Sequence, residues 1–313
     1  MDIIKEIAEG CLLSSLTRFQ KVIQSPRSHK RVVLKNKDKE RVIYVPSRIV
    51  KMAQRYVLDH YLCELTPHKC CFSYLKGKST VLMAEQHLNN NYFLHLDIKH
   101  YFDSMDWDVF KNIVLTKYPD TKMSLILNEK DPIIIKMILT FRNRFRQGSV
   151  TSPYISDLYL VEFDELIESY VSKNVPNGKY TRYSDDIVIS STTRIGSEII
   201  DYIRLALKKY KLRLNYSKIE FFNVLDKATI VGISITKDNR LTIPTTIKKI
   251  IKRLIYYALE KKEKCNYNVL YGYIYYLLMC DPLYFNYLQN KYERDGVLML
   301  DRVKDLEKNA NNS

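Results

Sequence analysis

Glycine and cysteine are scarce in this sequence. Its 313 residues include only 8 glycines, which excludes collagen-like chains and glycine-rich linkers. The 6 cysteines are too few for a disulfide scaffold, because small secreted proteins of that kind carry far more cysteine per residue. Hydrophobic residues make up 46% of the chain, so we expect a fold that an ordinary hydrophobic core stabilises.

Long apolar segments are also missing. No run approaches the ~18 apolar residues that a transmembrane helix requires. The N-terminal segment lacks the basic stretch followed by an apolar stretch that marks a secretory signal. We therefore expect a cytoplasmic protein that does not enter a membrane.

Acidic residues are fewer than basic residues in this sequence. The sequence has 35 Asp and Glu residues against 50 Lys and Arg residues, which gives a formal net charge of +15. An excess of this size favours a polyanionic partner, and nucleic acid is the simplest such partner. Charge alone leaves open the alternative of a basic protein without a polyanionic partner.

The hydrophobic periodicity predicts a mixture of strands and helices. The predicted strands are 41–46, 92–98 and the two strands of a hairpin at 179–193, and the predicted helices include 133–145 and 154–171. Residues 1–30 are interpreted as a short helix and a basic arm, and the pattern from 245 to 308 is helical throughout. We expect an α+β body followed by a helical appendage.

Two adjacent aspartates lie at the predicted tip of the hairpin. Asp185 and Asp186 stand between apolar strands, and Asp97 is near the end of the apolar strand 92–98. Burial of carboxylates there is costly unless a cation neutralises them. Mg²⁺ prefers oxygen ligands, and a pair of such ions promotes phosphoryl transfer. The alternative is an ordinary solvated turn, since Asp is favoured in turns.

Four motifs resemble those of reverse transcriptases and occur in the order of that family. They are Leu-Asp-Ile-Lys-His-Tyr-Phe at 96–102, Gln-Gly-Ser-Val-Thr-Ser-Pro at 147–153, Tyr-Ser-Asp-Asp at 183–186 and Leu-Asn-Tyr-Ser-Lys at 214–218. A single motif of this kind can arise by chance, whereas four motifs in the order of the family are very unlikely to do so. The resemblance covers about residues 35–245.

Within that family the chain most resembles the small bacterial retron-type enzymes. Its length fits, and Arg182 precedes the Tyr of the Tyr-Ser-Asp-Asp motif. Of one retron motif the chain keeps His87 but has Met83 in place of an Asn. Of another it keeps Gly232 but has Val231 in place of a Thr. These departures leave open other bacterial reverse transcriptases used in phage defence.

The resemblance implies an α+β right-hand polymerase fold with an antiparallel palm sheet and an α-helical thumb. The implied boundaries are an N-terminal helical and basic segment at 1–30, fingers at 31–90 and 110–150, palm at 91–109 and 151–236, and a helical thumb at 237–313.

The resemblance also implies which residues carry the chemistry. Asp97, Asp185 and Asp186 would hold two Mg²⁺ ions, with the carbonyl of Ile98 as a further ligand. Lys218 would protonate the pyrophosphate leaving group.

Substrate contacts follow from the same resemblance. The residues implied to contact the incoming dNTP or its template are Lys39, Arg41, Phe102, Gln147, Gly148 and Tyr183. Phe102 would lie under the sugar and leave no room for a 2′-hydroxyl, which selects deoxynucleotides. For Arg41 and Lys39 the alternative is a solvated surface cation.

The nucleic-acid contacts are expected mainly in the C-terminal helices. The predicted contacts are Lys248, Lys249, Lys252 and Arg253, together with His87 at its retron position. The alternative for the cations is a solvated helix face, and for His87 it is a structural histidine on an amphipathic helix.

These residues together predict an RNA-directed DNA polymerase. Its implied partners are dNTPs, a structured noncoding RNA that serves as template and primer, an RNA–DNA hybrid product and, in an anti-phage system, an effector protein. Two alternatives stay open. One is a defence-associated reverse transcriptase that makes repetitive or untemplated DNA, and the other is a catalytically idle RNA-binding module.

Overall fold

The chain forms two compact units. The structure is a computed structural model that describes residues 3–36, 39–128, 132–226, 228–261 and 266–311. The first unit comprises Met1–Ser79 and Tyr92–Phe221, and the second comprises Thr80–Asn91 and Phe222–Ser313. Among the described helices, none is both long and apolar enough to cross a membrane.

The first unit begins with helices and a hairpin. In chain order these elements are α1 (Ile3–Gly10), α2 (Leu16–Gln24), β1 (His29–Asn36), β2 (Lys39–Pro46) and α3 (Arg48–His60). The side chain of Ser15 caps α2 by accepting a hydrogen bond from the backbone of Arg18. The predicted strand 41–46 forms the last six residues of β2, whereas the expected basic arm before residue 30 contains a second helix, α2.

A four-stranded sheet positions the aspartates. Its strands are β3 (Tyr92–Asp97), β4 (Lys179–Tyr183), β5 (Asp186–Ser191) and β6 (Glu220–Asn223), in the spatial order β4-β5-β3-β6. Both β3 and β4 pair with β5 in antiparallel fashion. The predicted strand 92–98 and the predicted hairpin are therefore confirmed.

The register of β3 and β5 separates two faces of this sheet. Leu96 lies opposite Ile187, and both are buried in the hydrophobic core. Asp97 lies opposite Asp186 on the other face, because side chains alternate along a strand. The sheet therefore turns aliphatic side chains towards the core and carboxylates away from it.

Helices complete the first unit and supply the other side of its core. They are α5 (Tyr101–Ser104), α6 (Trp107–Lys117), α7 (Lys122–Leu127), α8 (Ile133–Leu139), α9 (Ser152–Leu158), α10 (Val161–Asn174) and α11 (Glu198–Lys209). Apolar side chains of these helices and of α1–α3 form one buried cluster with the core face of the sheet.

Two helices are shorter than the sequence pattern predicts. The helix expected over 133–145 ends at Leu139, because Phe141 and Arg144 pair in a tight turn whose two central residues have positive φ. The helix expected over 154–171 is divided into α9 and α10. Apolar spacing continues through both interruptions, so the periodicity does not reveal them.

The second unit combines a small sheet with helices. It contains α4 (Thr80–Glu85), β7 (Thr229–Ile230), β8 (Ile233–Ile235), β9 (Leu241–Thr242), α12 (Thr245–Leu259), α13 (Tyr267–Cys280), α14 (Pro282–Lys291) and α15 (Met299–Asn311). The strands pair in the order β7-β8-β9, and α4 packs against all three. The helical character expected from 245 onwards is confirmed for the described residues.

Candidate active site

Three aspartates meet at one end of the sheet. Asp97 is the last residue of β3, and Asp186 is the first residue of β5 directly opposite it. A two-residue turn joins β4 to β5, and its first residue, Ser184, has a φ of 56°. The carbonyl of Asp185 in this turn accepts a hydrogen bond from the backbone of Ile98 at 3.0 Å. The strand ending in Asp97 is thereby tied to the turn that carries Asp185.

The carboxylate of Asp97 is buried and compensated. Its Oδ1 accepts a hydrogen bond from Nδ2 of Asn215 at 2.9 Å, and its Oδ2 accepts one from Nζ of Lys218 at 2.5 Å. The hydrogen bond to Asp97 raises the pKa of Lys218, since a nearby negative charge favours the ammonium form. Lys218 is therefore held protonated at neutral pH.

The carboxylate of Asp185 is compensated only in part, by its own backbone N–H and by the charge of Lys218. Burial raises its pKa, and the negative charges of Asp186 and Asp97 raise it further. Within the described part of the chain Asp185 forms no ion pair, whereas Asp186 lies 3.2 Å from Nε2 of His95. A cation bound here would relieve the cost of burying Asp185.

The donor set fits a hard divalent cation. Carboxylate oxygens are the ligands that Mg²⁺ prefers, and a backbone carbonyl can be added to them. Asp97, Asp185 and Asp186 supply such oxygens from three neighbouring backbone positions, and Ile98 follows Asp97 directly. The residues present therefore suit a magnesium-type site.

A buried arginine supports the aspartate turn from the core side. Arg182 is fully buried, and its Nε and Nη2 donate to the two carboxylate oxygens of Asp164 at 2.8 and 2.7 Å. Its Nη1 donates to the carbonyl of Ser184 at 3.0 Å. The guanidinium thus links helix α10 to the turn before Asp185.

A second chain of hydrogen bonds reaches the same turn. The Oγ of Ser73 donates to Oδ1 of Asp157 at 2.5 Å and accepts from the backbone N–H of Ser184 at 2.9 Å. Burial raises the pKa of Asp157 to about 6, although Arg182 and Ser73 oppose the shift. Sequence reasoning missed both chains, because Ser73, Asp157 and Asp164 lie outside any recognised motif. The one available signal was a charged residue, Arg182, at a core-facing position of a strand.

Comparison with known proteins identifies the family of this chain. The sequence pattern of the family described as "Reverse transcriptase (RNA-dependent DNA polymerase)" matches residues 33–267. The chain belongs to the reverse transcriptase family. It is an RNA-directed DNA polymerase with the right-hand polymerase fold that the motifs predicted, and reverse transcriptases generally use divalent metal ions.

The curated relatives of this reverse transcriptase include several retron enzymes. It is 27% identical over 286 residues to "Retron Ec73 reverse transcriptase" of Escherichia coli, covering 87% of this chain and 89% of the relative. It is 26% identical over 288 residues to "Retron Ec83 reverse transcriptase" of the same organism, covering 85% and 86%. The predicted resemblance to retron-type enzymes is therefore confirmed.

A solved structure is also similar. A telomerase of Candida albicans, in complex with a fragment of telomeric RNA, has a TM-score of 0.47 at 13% identity. The match covers 89% of this reverse transcriptase and 63% of that chain.

The loop of the Gln-Gly motif contacts strand β2. The carbonyl of Gln147 accepts a hydrogen bond from the backbone of Tyr44 at 3.0 Å. Gly148 has a φ of 100°, and a Cβ there would lie 2.9 Å from the carbonyl oxygen of Tyr44. Glycine is needed at 148 for this close approach of two backbones.

The loop has a buried support that sequence reasoning missed. Gln54 of α3 donates from Nε2 to the carbonyl of Ile138 at 2.9 Å and accepts from the backbone of Val150 at 3.0 Å. Its amide thus joins the end of α8 to the loop that precedes α9.

The other predicted substrate residues of the reverse transcriptase lie in the first unit. Phe102 is half-buried on α5, with its ring centroid 5.8 Å from that of Tyr101. Tyr183 ends β4, and its ring centroid lies 6.1 Å from that of Tyr74. Arg41 is exposed on β2. Lys39 begins β2, but its side chain lies outside the described residues.

The predicted nucleic-acid contacts fall into distinct environments of the second unit. Lys249, Lys252 and Arg253 line a cavity of about 690 Å³ that Lys291 and Arg294 also line. Six of its lining side chains, these five and Arg302, are cationic. This environment suits phosphate groups.

Lys248 and His87 lie elsewhere in that unit. Lys248 forms an ion pair with Asp281 at 2.6 Å and lies over the ring of Tyr284, 4.3 Å from its centroid. His87 follows α4 and is fully buried. Its burial favours the structural alternative for His87, and Lys248 is held by an ion pair instead of lying on a solvated helix face.

A separate group of ligand-type side chains lies away from the aspartates. One ligand atom each of His68, Cys70 and Glu168 lies within 4.8 Å of the other two. Burial and Glu168 raise the pKa of the Cys70 thiol, and Lys69 forms an ion pair with Glu168 at 3.0 Å. A protonated thiol binds metal poorly, so we assign no metal here.

Proposed function

We propose that this reverse transcriptase copies a structured noncoding RNA into DNA at Asp97, Asp185 and Asp186. The carboxylate of Asp185 carries the proposal, because it is half-buried, lies beside two further carboxylates and has no ion-pair partner in the described chain. Such a site requires cations, and the transfer of phosphoryl groups from nucleoside triphosphates is a reaction that bound divalent cations promote.

Two Mg²⁺ ions are the proposed cofactor. The three carboxylates and the carbonyl of Ile98 would hold them, and when bound they would activate the primer hydroxyl and stabilise negative charge on the leaving oxygen. Asp97 already binds Lys218 and Asn215, so those two side chains orient its carboxylate.

The proposed reaction is transfer of a nucleotidyl group. The primer hydroxyl oxygen forms a bond to the α-phosphorus of a dNTP, the bond from that phosphorus to the β-phosphate oxygen breaks, and pyrophosphate leaves. The hydroxyl loses its proton to solvent. The ammonium of Lys218, kept charged by Asp97, donates a proton to the pyrophosphate.

The dNTP contacts are proposed on the first unit. The proposed set is Lys39, Arg41, Phe102, Gln147, Gly148 and Tyr183. Arg41 is an exposed cation that suits triphosphate oxygens. Phe102 lies five residues beyond Asp97 and would exclude a 2′-hydroxyl, so we expect dNTPs to be preferred over NTPs.

The proposed template is a structured RNA with the retron type of product. The names of the curated relatives and the net charge of +15 support this assignment. Lys249, Lys252 and Arg253 would contact nucleic-acid phosphates, whereas the ion-paired Lys248 and the buried His87 would support the fold of that unit. Priming from an RNA 2′- or 3′-hydroxyl would give an RNA–DNA hybrid.

The proposal also includes the subdomain boundaries, an effector protein, a role in defence and a location in the cell. Residues 31–90 and 110–150 would act as fingers, 91–109 and 151–236 as palm, and 237–313 as thumb. An effector protein and a role in defence against phage are proposed with the retron type. The cytoplasm, where dNTPs and transcripts are available, is the proposed location.

Sequencing of nucleic acid that co-purifies with the protein tests the function. We expect a discrete RNA joined to a short DNA copied from it. The Asp185→Asn/Asp186→Asn variant should retain the RNA and lack the DNA. The Asp238→Asn/Asp295→Asn variant removes two exposed carboxylates of the second unit, and it should keep both.

Two other results would favour the alternatives. Homopolymer or repeat DNA would indicate untemplated or repetitive synthesis, which the altered positions Met83 and Val231 motivate. RNA without DNA in the unsubstituted protein, together with no incorporation on a primed template, would indicate an RNA-binding module. Either result contradicts the retron-type proposal.

A further inference from the structure

A basic cavity lies in the first unit, and Asp97, Asp185 and Asp186 are not among its lining residues. Its volume is about 1,140 Å³, and it lies between the segment after β3, the end of α11 and the chain that follows α11. Its cationic lining residues are Lys99, Arg144, Arg204, Lys208, Lys211 and Arg213. We call it the α11 cavity.

The two acidic side chains in the lining are already paired. Asp103 accepts from Nη1 of Arg146 at 2.6 Å. Asp106 pairs with Lys211 at 2.9 Å and caps α6 by accepting from two backbone N–H groups. Neither carboxylate is therefore available to neutralise the remaining cations.

Four of the cations have no acidic partner among the residues that the structure describes. Lys99, Arg144, Lys208 and Arg213 form no ion pair there, whereas Arg204 pairs with Asp201 at 3.0 Å. The backbone N–H of Lys99 donates to the carbonyl of Arg213 at 2.9 Å, which joins the two sides of the cavity. Cations gathered on a concave surface reinforce one another's potential and attract polyanions.

Exposed rings accompany these charges. Tyr216 lines the cavity with 60% of its surface exposed, and His100 lines it as an exposed residue with a φ of 50°. An exposed aromatic ring beside cations is the combination by which proteins stack on unpaired RNA bases while they bind the backbone.

The lining argues against a nucleotide as the occupant. Among the described residues, neither the three aspartates nor Lys218 lines the α11 cavity. A dNTP placed for reaction has its phosphates at those residues, so it would not occupy this cavity. The cations of the α11 cavity therefore suit a phosphate-bearing molecule other than the dNTP.

We propose that the α11 cavity binds the phosphate backbone of single-stranded RNA. The inference rests on the proposed function for the identity of the polyanion as RNA. It adds a second contact region, on the first unit, to the cations proposed on the second unit.

The salt dependence of RNA binding tests the proposal. The probe is a fluorescein-labelled 20-mer of oligouridylate, titrated at several salt concentrations without metal or nucleotide. Each phosphate contact on single-stranded nucleic acid contributes about −0.7 to the slope of log K against log salt, and slopes are compared here by their magnitude. The Lys208→Ala/Arg213→Ala variant should lower the magnitude of that slope by about 1.4 and weaken binding by about 20-fold at 0.1 M salt.

A matched control separates the cavity from net charge. The Lys173→Ala/Lys179→Ala variant removes two exposed cations of the same unit outside the cavity, and its slope should equal that of the unsubstituted protein. The single variant Lys99→Ala should lower the slope by about 0.7. Circular dichroism confirms that each variant is folded.

Two results would overturn the proposal. One is an equal loss of slope in the cavity variant and the control. The other is an unchanged slope together with a raised KM for dTTP, which would assign the cavity to nucleotides. Because binding is measured without nucleotide, failure here is distinguishable from failure of polymerisation, which a separate extension assay on primed template reports.

Discussion

The three aspartates differ in their neighbours although they share one site. Asp97 is bound by an amide and an ammonium, whereas Asp185 is half-buried without an ion-pair partner in the described chain. The free-energy cost of a charge without a counter-ion is therefore largest for Asp185. We expect a bound cation to stabilise the ionised form of Asp185 more than that of the other two aspartates. The motifs predicted the three residues, but their unequal environments depend on Asn215 and Lys218, which approach only in the folded chain.

Removal of the Lys218 ammonium should slow chemistry more than binding. We expect Lys218→Ala to lower kcat for single-nucleotide incorporation by about 100-fold and to change the KM for dNTP little, since a positioned acid contributes about that much. Rapid-quench kinetics over a pH range measures both. Lys237→Ala, an exposed lysine of the second unit, serves as the control. An unchanged rate in Lys218→Ala would exclude this proton donor.

At the scale of elements, the β4–β5 hairpin shows what a sequence reveals and what it conceals. The alternation of apolar residues predicted both strands, and Asp185-Asp186 marked the turn. The same alternation places Arg182 on the core face, where a guanidinium requires a carboxylate. The sequence did not indicate that Asp164 of α10 fills that role, because the pairing depends on how the helix crosses the sheet.

Loss of the Arg182 guanidinium should destabilise the first unit. We expect Arg182→Met to lower the free energy of unfolding by about 3–5 kcal/mol, because it leaves Asp164 buried and unpaired. Urea unfolding followed by fluorescence measures this in the first unit, since Trp107 is the sole tryptophan of the chain.

Two further variants decide the cause of that loss. Arg182→Met/Asp164→Leu should recover part of the stability, because no unpaired charge remains. Arg194→Met removes an exposed arginine and should change little. If the double variant is less stable than Arg182→Met, the buried charge is not the reason for the loss.

At the scale of the whole molecule, the composition predicted the basic surface, but the sequence did not predict how the chain divides into two units. The positive excess appears in both units as cavities lined by cations. The association of Thr80–Asn91 with a segment that begins about 130 residues later has no local signal. Periodicity reports which face of an element is buried, but not which distant partner buries it.

The stability of the first unit should depend on pH through Asp157. Its folded-state pKa of about 6 exceeds the ordinary value of 3.8, so the folded form holds more protons between those pH values. The contribution of this shift to the free energy of unfolding is fully present below about pH 4 and is lost as the pH rises through 6. The total change in the free energy of unfolding is roughly 3 kcal/mol. Asp157→Asn should remove this dependence.

Trp107 fluorescence in urea at pH 4, 5, 6 and 7 measures the effect. The unfolding free energy of the unsubstituted protein minus that of Asp157→Asn should fall as pH rises over this range. Asp238→Asn, which removes an exposed carboxylate, should show no such trend. A difference that is constant with pH would show that Asp157 titrates as an ordinary aspartate.

The placement of α4 has a consequence for synthesis on the ribosome. The strands β7–β9, against which α4 packs, follow it by more than 130 residues. At about 5–20 residues per second, roughly ten seconds pass before those strands emerge. During that interval the nascent chain carries Val81, Met83 and Ala84 without the surface that buries them. A chaperone that binds short apolar segments would find a target in this helix throughout that interval.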